Sequence, residues 1–129
     1  MNKISDSSVV DALRRQMTIA VAKQVASAGN LANIDTPGYK AKEVTFSDAL
    51  KSKLTPANST FPGQSRPAAA DLDLGQKEIE GLPARRDGNT VQIDRELLTM
   101  GRAAGDFSAA QTALAAKFRL VRYAINEGK

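Results

Sequence analysis

Apolar residues near the amino terminus recur every three or four positions, which places them on one face of an α-helix. Short polar side chains at positions 5–8 are suitable N-caps for this helix. Pro37 lacks an amide hydrogen and disfavours helical geometry at Thr36, so the helix must end before it. The pattern therefore predicts a helix over residues 8–33. Its apolar face comprises Val9, Val10, Leu13, Met17, Ala20, Val21, Val25, Ala28, Leu31 and Ala32.

The last third of the chain shows a stricter alternation of three and four, which is the heptad pattern of a coiled coil. Asp94 is the predicted N-cap, and the helix is predicted to run over residues 94–126. The predicted seam comprises Leu97, Met100, Ala104, Phe107, Gln111, Leu114, Phe118, Val121 and Ile125. Gln111 is its one polar position, and either a partner helix or a channel could lie opposite it.

Residues 40–89 lack this helical periodicity. They hold four of the five prolines and few large apolar residues. We predict a short helix within residues 46–54, a flexible segment over 55–70, an extended piece within 71–80 and an extended stretch at 90–93. The predicted fold class is therefore mainly α, with two long terminal helices that pair as a coiled coil around a small irregular or flexible middle segment. Residues 1–36 and 90–129 would form the terminal-helix core domain, and residues 37–89 the segment between them.

A turn is predicted where the first helix ends. Thr36, Pro37, Gly38 and Tyr39 match a type II turn, in which proline fixes φ at the second position and glycine supplies positive φ at the third. Gly38 should therefore lie in the left-handed region.

Composition limits how much of this chain can form a core. Alanine accounts for 21 of the 129 residues, whereas Leu, Ile, Val and Phe together number 28. Such a chain forms helices readily but buries little apolar area. We therefore expect its order to depend partly on partner chains.

Several classes of chemistry are excluded by the residues that are missing. The chain has no Cys and no His, so it offers neither thiolate nor imidazole for metal binding or catalysis. The carboxylates are scattered, and no phosphate-binding glycine loop is present. We expect no enzymatic activity, no cofactor and no small-molecule substrate.

The net charge of +4 would permit nucleic-acid binding, but the basic residues are dispersed in pairs without an aromatic platform, so none is expected. No apolar stretch is long enough to span a membrane. Residues 1–11 include Lys3, Asp6 and Asp11 and lack the apolar run of a secretory signal. If the protein leaves the cytoplasm, it should do so without a cleaved signal peptide.

One segment carries a specific resemblance. It is Asn30-Leu31-Ala32-Asn33-Ile34-Asp35-Thr36-Pro37-Gly38-Tyr39-Lys40. It resembles the motif that follows the amino-terminal helix of the bacterial flagellar axial proteins, which are the rod, hook and hook-junction subunits. The motif positions are Asn30, Ala32, Asn33, Thr36, Pro37, Gly38 and Tyr39. Residues 42–50 and 88–96 are similar to parts of a proximal-rod protein, and the short chain agrees with that type.

The resemblance implies a structural subunit of the proximal rod of the flagellar basal body. Such subunits assemble into a helical tube that transmits torque and encloses an export channel. The implied partners are further copies of the chain, the other proximal-rod subunits, the protein that joins the rod to the membrane ring, and the flagellar type III export gate. The implied location is the periplasmic rod.

Phe46 and Leu50 resemble the short signal by which early axial subunits dock on the export gate. Their spacing of four would place both side chains on one face of a helical turn. A purely structural role, with both residues packed on the terminal helices, is equally compatible with the sequence.

Two alternatives remain open from the sequence. The chain could be the sister proximal-rod protein of the C type, or a soluble helical adaptor or export chaperone that stays in the cytoplasm.

Overall fold

The computed structural model describes residues 6–45 and 75–126. Its elements in chain order are α1 (Asp6–Ala32), β1 (Lys42–Val44), β2 (Gln76–Glu78) and α2 (Ile93–Ile125). The helices hold 27 and 33 residues, which correspond to ~40 and ~50 Å at 1.5 Å per residue. The two helices pack against each other, so the predicted fold class is confirmed.

The helices run antiparallel. The amide nitrogen of the Asn89 side chain donates a hydrogen bond to the backbone oxygen of Asn33, so the end of α1 meets the chain that leads into α2. From this meeting point the helices lie side by side. We call residues 30–41 and 85–91 the junction, and residues 8–15 and 117–126 the far end of the pair.

The residues of α2 that contact α1 each precede a residue of the predicted seam by one position. The buried residues of α2 are spaced by seven: Glu96, Ala103 and Ala110. The predicted seam contributes half-buried residues at Met100, Phe107 and Leu114. Its other members are exposed: Leu97, Ala104, Gln111, Phe118, Val121 and Ile125. One residue corresponds to ~100° around the helix, so α1 covers only one edge of that seam.

Small side chains explain this register. Ala20 and Ala26 of α1 and Ala103 and Ala110 of α2 are at most 6% exposed. Alanine rows allow two helix backbones to approach closely, and larger side chains then remain at the edge of the contact. On α1, Leu13 and Met17 are accordingly half-buried, while Val21 is 44% exposed.

A short antiparallel ribbon lies beside the helices. β1 pairs with β2 in a register that places Lys42 opposite Glu78 and Val44 opposite Gln76. Backbone hydrogen bonds from Ile79 to Ala41 and from Thr45 to Gly75 extend the ribbon at both ends. The extended conformation predicted within residues 71–80 is thus confirmed for its described part. The predictions for residues 46–54 and 55–70 lie outside the described residues.

The predicted N-cap of α2 is wrong. Helix α2 begins at Ile93, and its N-cap is Gln92, which has extended backbone angles and makes no capping hydrogen bond through its side chain. The chain reaches α2 in an extended conformation, with Val91 buried in the junction. Asp94 instead lies in the first turn, where a carboxylate interacts favourably with the helix dipole.

Candidate assembly surface and its supporting junction

The turn after α1 has the two features that the predicted type II turn requires. The Tyr39 amide donates to the Thr36 carbonyl oxygen at 3.3 Å, which closes the turn. Gly38 has φ +73°, a conformation that glycine adopts without steric cost. The turn redirects the chain from the axis of α1 towards β1.

A second turn packs against the first. The Gly88 amide donates to the Arg85 oxygen at 2.9 Å, and the Arg85 amide donates to the Asn89 oxygen at 2.8 Å. Gly88 has φ +82°, and a Cβ added there would lie 3.5 Å from the Cα of Gly38. The Gly38 amide also donates to the Asp87 oxygen at 2.8 Å. The two turns are therefore joined backbone to backbone, and each contains a glycine at positive φ.

Asn89 closes the end of α1. It is fully buried, and its side-chain nitrogen lies 2.9, 3.0 and 2.9 Å from the carbonyl oxygens of Asn33, Ile34 and Thr36. These carbonyls follow the last helical turn, where no intrahelical donor is available. The side-chain oxygen of Asn89 accepts a hydrogen bond from the Val91 amide at 2.7 Å. Both polar ends of this buried amide are thus satisfied.

Asn30 performs a similar role for the ribbon. It is 1% exposed, and its side chain exchanges two hydrogen bonds with the backbone of Lys42. The Asn30 nitrogen donates to the Lys42 oxygen at 2.8 Å, and the Lys42 amide donates to the Asn30 oxygen at 2.9 Å. A side-chain amide presents the same donor and acceptor as a peptide group. Asn30 therefore pairs with β1 and attaches the ribbon to α1.

Thr90 completes the junction from the α2 side. Its amide donates to the Tyr39 oxygen at 3.0 Å, and its hydroxyl oxygen accepts from the Ala41 amide at 2.9 Å. Thr36 and Asn33 are linked through their side chains at 3.2 Å, and Asn33 also donates to the Gly29 oxygen at 2.9 Å. The junction is therefore a network of local polar groups that fixes where α2 begins relative to α1.

The far end has the opposite character. From Phe118 onward, every described residue of α2 is exposed. The large apolar side chains of this end are 40–74% exposed: Phe118, Leu120, Val121, Tyr123 and Ile125. Phe118, Val121 and Ile125 are spaced by three and four residues and therefore share one face of α2, and a group of exposed apolar side chains often marks an interaction site. The helix pair thus has a tightly bonded junction at one end and an uncovered apolar surface at the other.

A cleft of about 240 Å³ lies between α1, β1 and α2. Lys42 and Glu96 line it, and the Arg95 guanidinium forms an ion pair with the Glu43 carboxylate at 3.5 Å on its wall. Within residues 6–45 and 75–126 there is no cluster of three or more metal-ligating side chains. Neither of the described helices is long and apolar enough to cross a membrane.

Comparison with known proteins identifies the family. The chain is 25% identical to flagellar basal body rod protein FlgB of Bacillus subtilis (strain 168) over 125 residues, covering 95% of the chain and 97% of that protein. It is 33% identical to FlgB of Yersinia enterocolitica over 92 residues, covering 62% of the chain and 66% of that protein. It is 32% identical to FlgB of Escherichia coli (strain K12) over 94 residues, covering 62% of the chain and 65% of that protein. The chain belongs to the flagellar basal body rod protein family. No family model matches the chain.

The structure brings the rod-family motif residues together at the junction. Asn30 and Asn33 form side-chain hydrogen bonds, Thr36 and Gly38 form the turn, and Tyr39 is half-buried. Ala32 and Pro37 are exposed. The predicted export signal, Phe46 and Leu50, lies outside the described residues.

The sequence did not reveal the partners of this motif. Asn89 and Thr90 are buried polar residues that donate hydrogen bonds to the motif, Asn89 to Thr36 and Thr90 to Tyr39, and neither was predicted as a functional residue. The signal available was the resemblance of residues 88–96 to a rod protein of the same family. The burial of Glu96, which is 3% exposed, was not predicted either, because it follows from the shifted contact between the helices.

Proposed function

We propose that the chain is a structural, non-enzymatic subunit of the proximal rod of the bacterial flagellar basal body. It would assemble with other rod subunits into the tube that transmits torque and through which proteins are exported. The observation that carries this proposal, beside the family itself, is the row of large apolar side chains left exposed along α2. Complete burial of a fully exposed large apolar side chain contributes ~1.5–3 kcal/mol, and these side chains still have 40–74% of their surface exposed.

Assembly through the terminal helices accounts for the thin core of the single chain. The buried residues of the helix contact are mostly alanines, so the pair gains little hydrophobic stabilisation alone. The larger side chains on α2 would become buried only against neighbouring subunits. We propose further copies of this chain, other proximal-rod subunits and the protein joining the rod to the membrane ring as the neighbours.

We further propose that the chain reaches the periplasmic rod through the flagellar type III export apparatus, without a cleaved signal peptide. Phe46 and Leu50 would dock on the export gate before the protein folds. The sister proximal-rod protein of the C type is disfavoured, since the matched relatives are named FlgB. The adaptor or chaperone alternative predicts a protein that stays in the cytoplasm.

Localisation and motility test the proposal together. A strain that lacks its own copy of the gene is complemented with a tagged chain, and its basal bodies are purified. We expect the chain in the purified basal bodies and restored swimming. Complete basal bodies that lack the chain, with the chain retained in the cytosol, would refute the proposal.

Leu114→Asp adds a test of the helix surface. Leu114 is half-buried, so an aspartate there would place a charge in an apolar contact, which is costly unless it finds a partner. We expect loss of motility with retained expression. Gln16→Asp, on an exposed position of α1, is the matched control and should swim normally.

A further inference from the structure

The strip of α2 that α1 leaves uncovered has the pattern of a second helix-binding seam. Its residues are Leu97, Ala104, Gln111, Phe118 and Ile125, which are spaced by seven, and all are exposed. The first three follow the buried residues Glu96, Ala103 and Ala110 by one position each, or ~100° around the helix. A helix lying on the strip would therefore fit beside α1 without displacing it.

The neighbouring positions permit close approach. Gly101, Ser108 and Ala115 border the strip on the side away from α1, and all three are exposed. Nothing lies within 4 Å of a Cβ added at Gly101. Met100, Phe107 and Leu114 are half-buried at the other border, so a second helix would complete their burial. Alternation of large apolar and small residues suits the interlocking of helix side chains.

Charge identifies what kind of helix fits. At the carboxyl end of the strip, Ala115, Phe118, Arg119 and Arg122 line a shallow groove on the surface of α2 that is open to solvent. Both arginines are exposed, and neither forms an ion pair within the part of the chain that is described. Two guanidinium groups beside a phenyl ring suit a carboxylate flanked by apolar side chains.

We propose that this strip binds an amphipathic α-helix of a neighbouring chain, and that this helix places a carboxylate between Arg119 and Arg122. The proposal rests on the proposed function, because it names the chemistry of the partner for the same surface. The apolar edge of the incoming helix lies on Leu97, Ala104, Gln111 and Phe118. Its acidic residue fixes the register at the far end.

Charge reversal tests the groove. Arg122→Glu would place a carboxylate opposite the partner carboxylate, and we expect the amount of chain per basal body to fall about tenfold, as for a lost interfacial charge pair. The control is Arg86→Glu, which reverses an exposed arginine on the junction turn, away from the groove; it should change incorporation less than twofold. Circular dichroism of both free variants should match the parent, since both positions are exposed. Equal incorporation of the two variants would overturn the proposal.

Cross-linking identifies the occupant. The chain has no cysteine, so Gln111→Cys supplies a single thiol on the strip for a cysteine-to-amine cross-linker in purified basal bodies. We expect a product with a helix of another chain that carries an acidic residue about 11 positions from the cross-link, the distance from Gln111 to Arg122 along α2. Changing that acidic residue to lysine should restore incorporation of Arg122→Glu.

A product within the same chain, or a thiol that remains as reactive as in the free protein, would overturn the inference while leaving the proposed function intact. Absence of the chain from basal bodies would instead refute the proposed function.

Discussion

The side-chain nitrogen of Asn89 donates a hydrogen bond to the backbone oxygen of Asn33 at 2.9 Å, across a sequence separation of 56 residues. The same nitrogen lies within 3.0 Å of the carbonyl oxygens of Ile34 and Thr36. Its two hydrogens are therefore shared among three acceptors. This contact closes the end of α1 with a residue that also shapes the path into α2, so it fixes the geometry of the helix pair.

Asn89→Ala should destabilise the chain by about 2–3 kcal/mol, because it removes the Asn89 hydrogen bonds to three carbonyl oxygens and leaves the buried Val91 amide without its acceptor. Urea unfolding followed by circular dichroism measures this loss. Gln16→Ala, at an exposed position of α1, should change the unfolding free energy by less than about 0.5 kcal/mol. Equal stabilities of the two variants would contradict the role assigned to Asn89.

Gly38→Val should cost about 2 kcal/mol, because a β-branched residue is strained at the observed φ of +73°. Thermal unfolding of the free chain provides the measurement. Gly29→Ala is the matched control, since Gly29 lies within α1 and a Cβ there meets nothing within 4 Å. That substitution should stabilise the chain by about 0.5–1 kcal/mol. The turn assignment would fail if both substitutions shifted stability in the same direction.

Ala110→Leu should destabilise the helix pair by about 1–3 kcal/mol, because the added atoms must enter a close helix contact. Ala110 is 3% exposed, whereas the adjacent Ala109 is exposed. Ala109→Leu should therefore be nearly neutral in the same denaturation experiment. If the effects were reversed, the register of α2 against α1 would be incorrect.

Hydrogen exchange should reveal a gradient along α2 in the free chain. Residues 118–125 are exposed, whereas Glu96, Ala103 and Ala110 are buried against α1. Amides near the far end should therefore exchange faster than those of residues 96–107, because local opening there exposes little additional apolar surface. Mass spectrometry of peptides from labelled protein would show the gradient. Uniform protection along α2 would contradict it.

Replacing Phe46 and Leu50 together with alanine should trap the chain in the cytoplasm. The paired side chains would no longer fill an apolar groove on the export gate. The measurement is the amount of chain secreted by a strain blocked in rod assembly. Ser52→Ala alone, two positions from Leu50 and therefore off the face that Phe46 and Leu50 would share, should leave secretion unchanged. Normal secretion of the Phe46 and Leu50 variant, with defective assembly only, would assign both residues to packing.

The sequence by itself determined the two helices, the turn between α1 and β1, and the resemblance to flagellar axial proteins. Periodicity and proline position are local properties, so residues 8–33 and Gly38 could be assigned without tertiary information. Only the tertiary structure decided which residues of α2 pack against α1. Close approach favoured the alanine row at Ala103 and Ala110 over the bulkier row at Leu97 and Phe118. The role of Asn89 was likewise hidden, because a buried amide has no sequence periodicity and its acceptors lie more than 50 residues away.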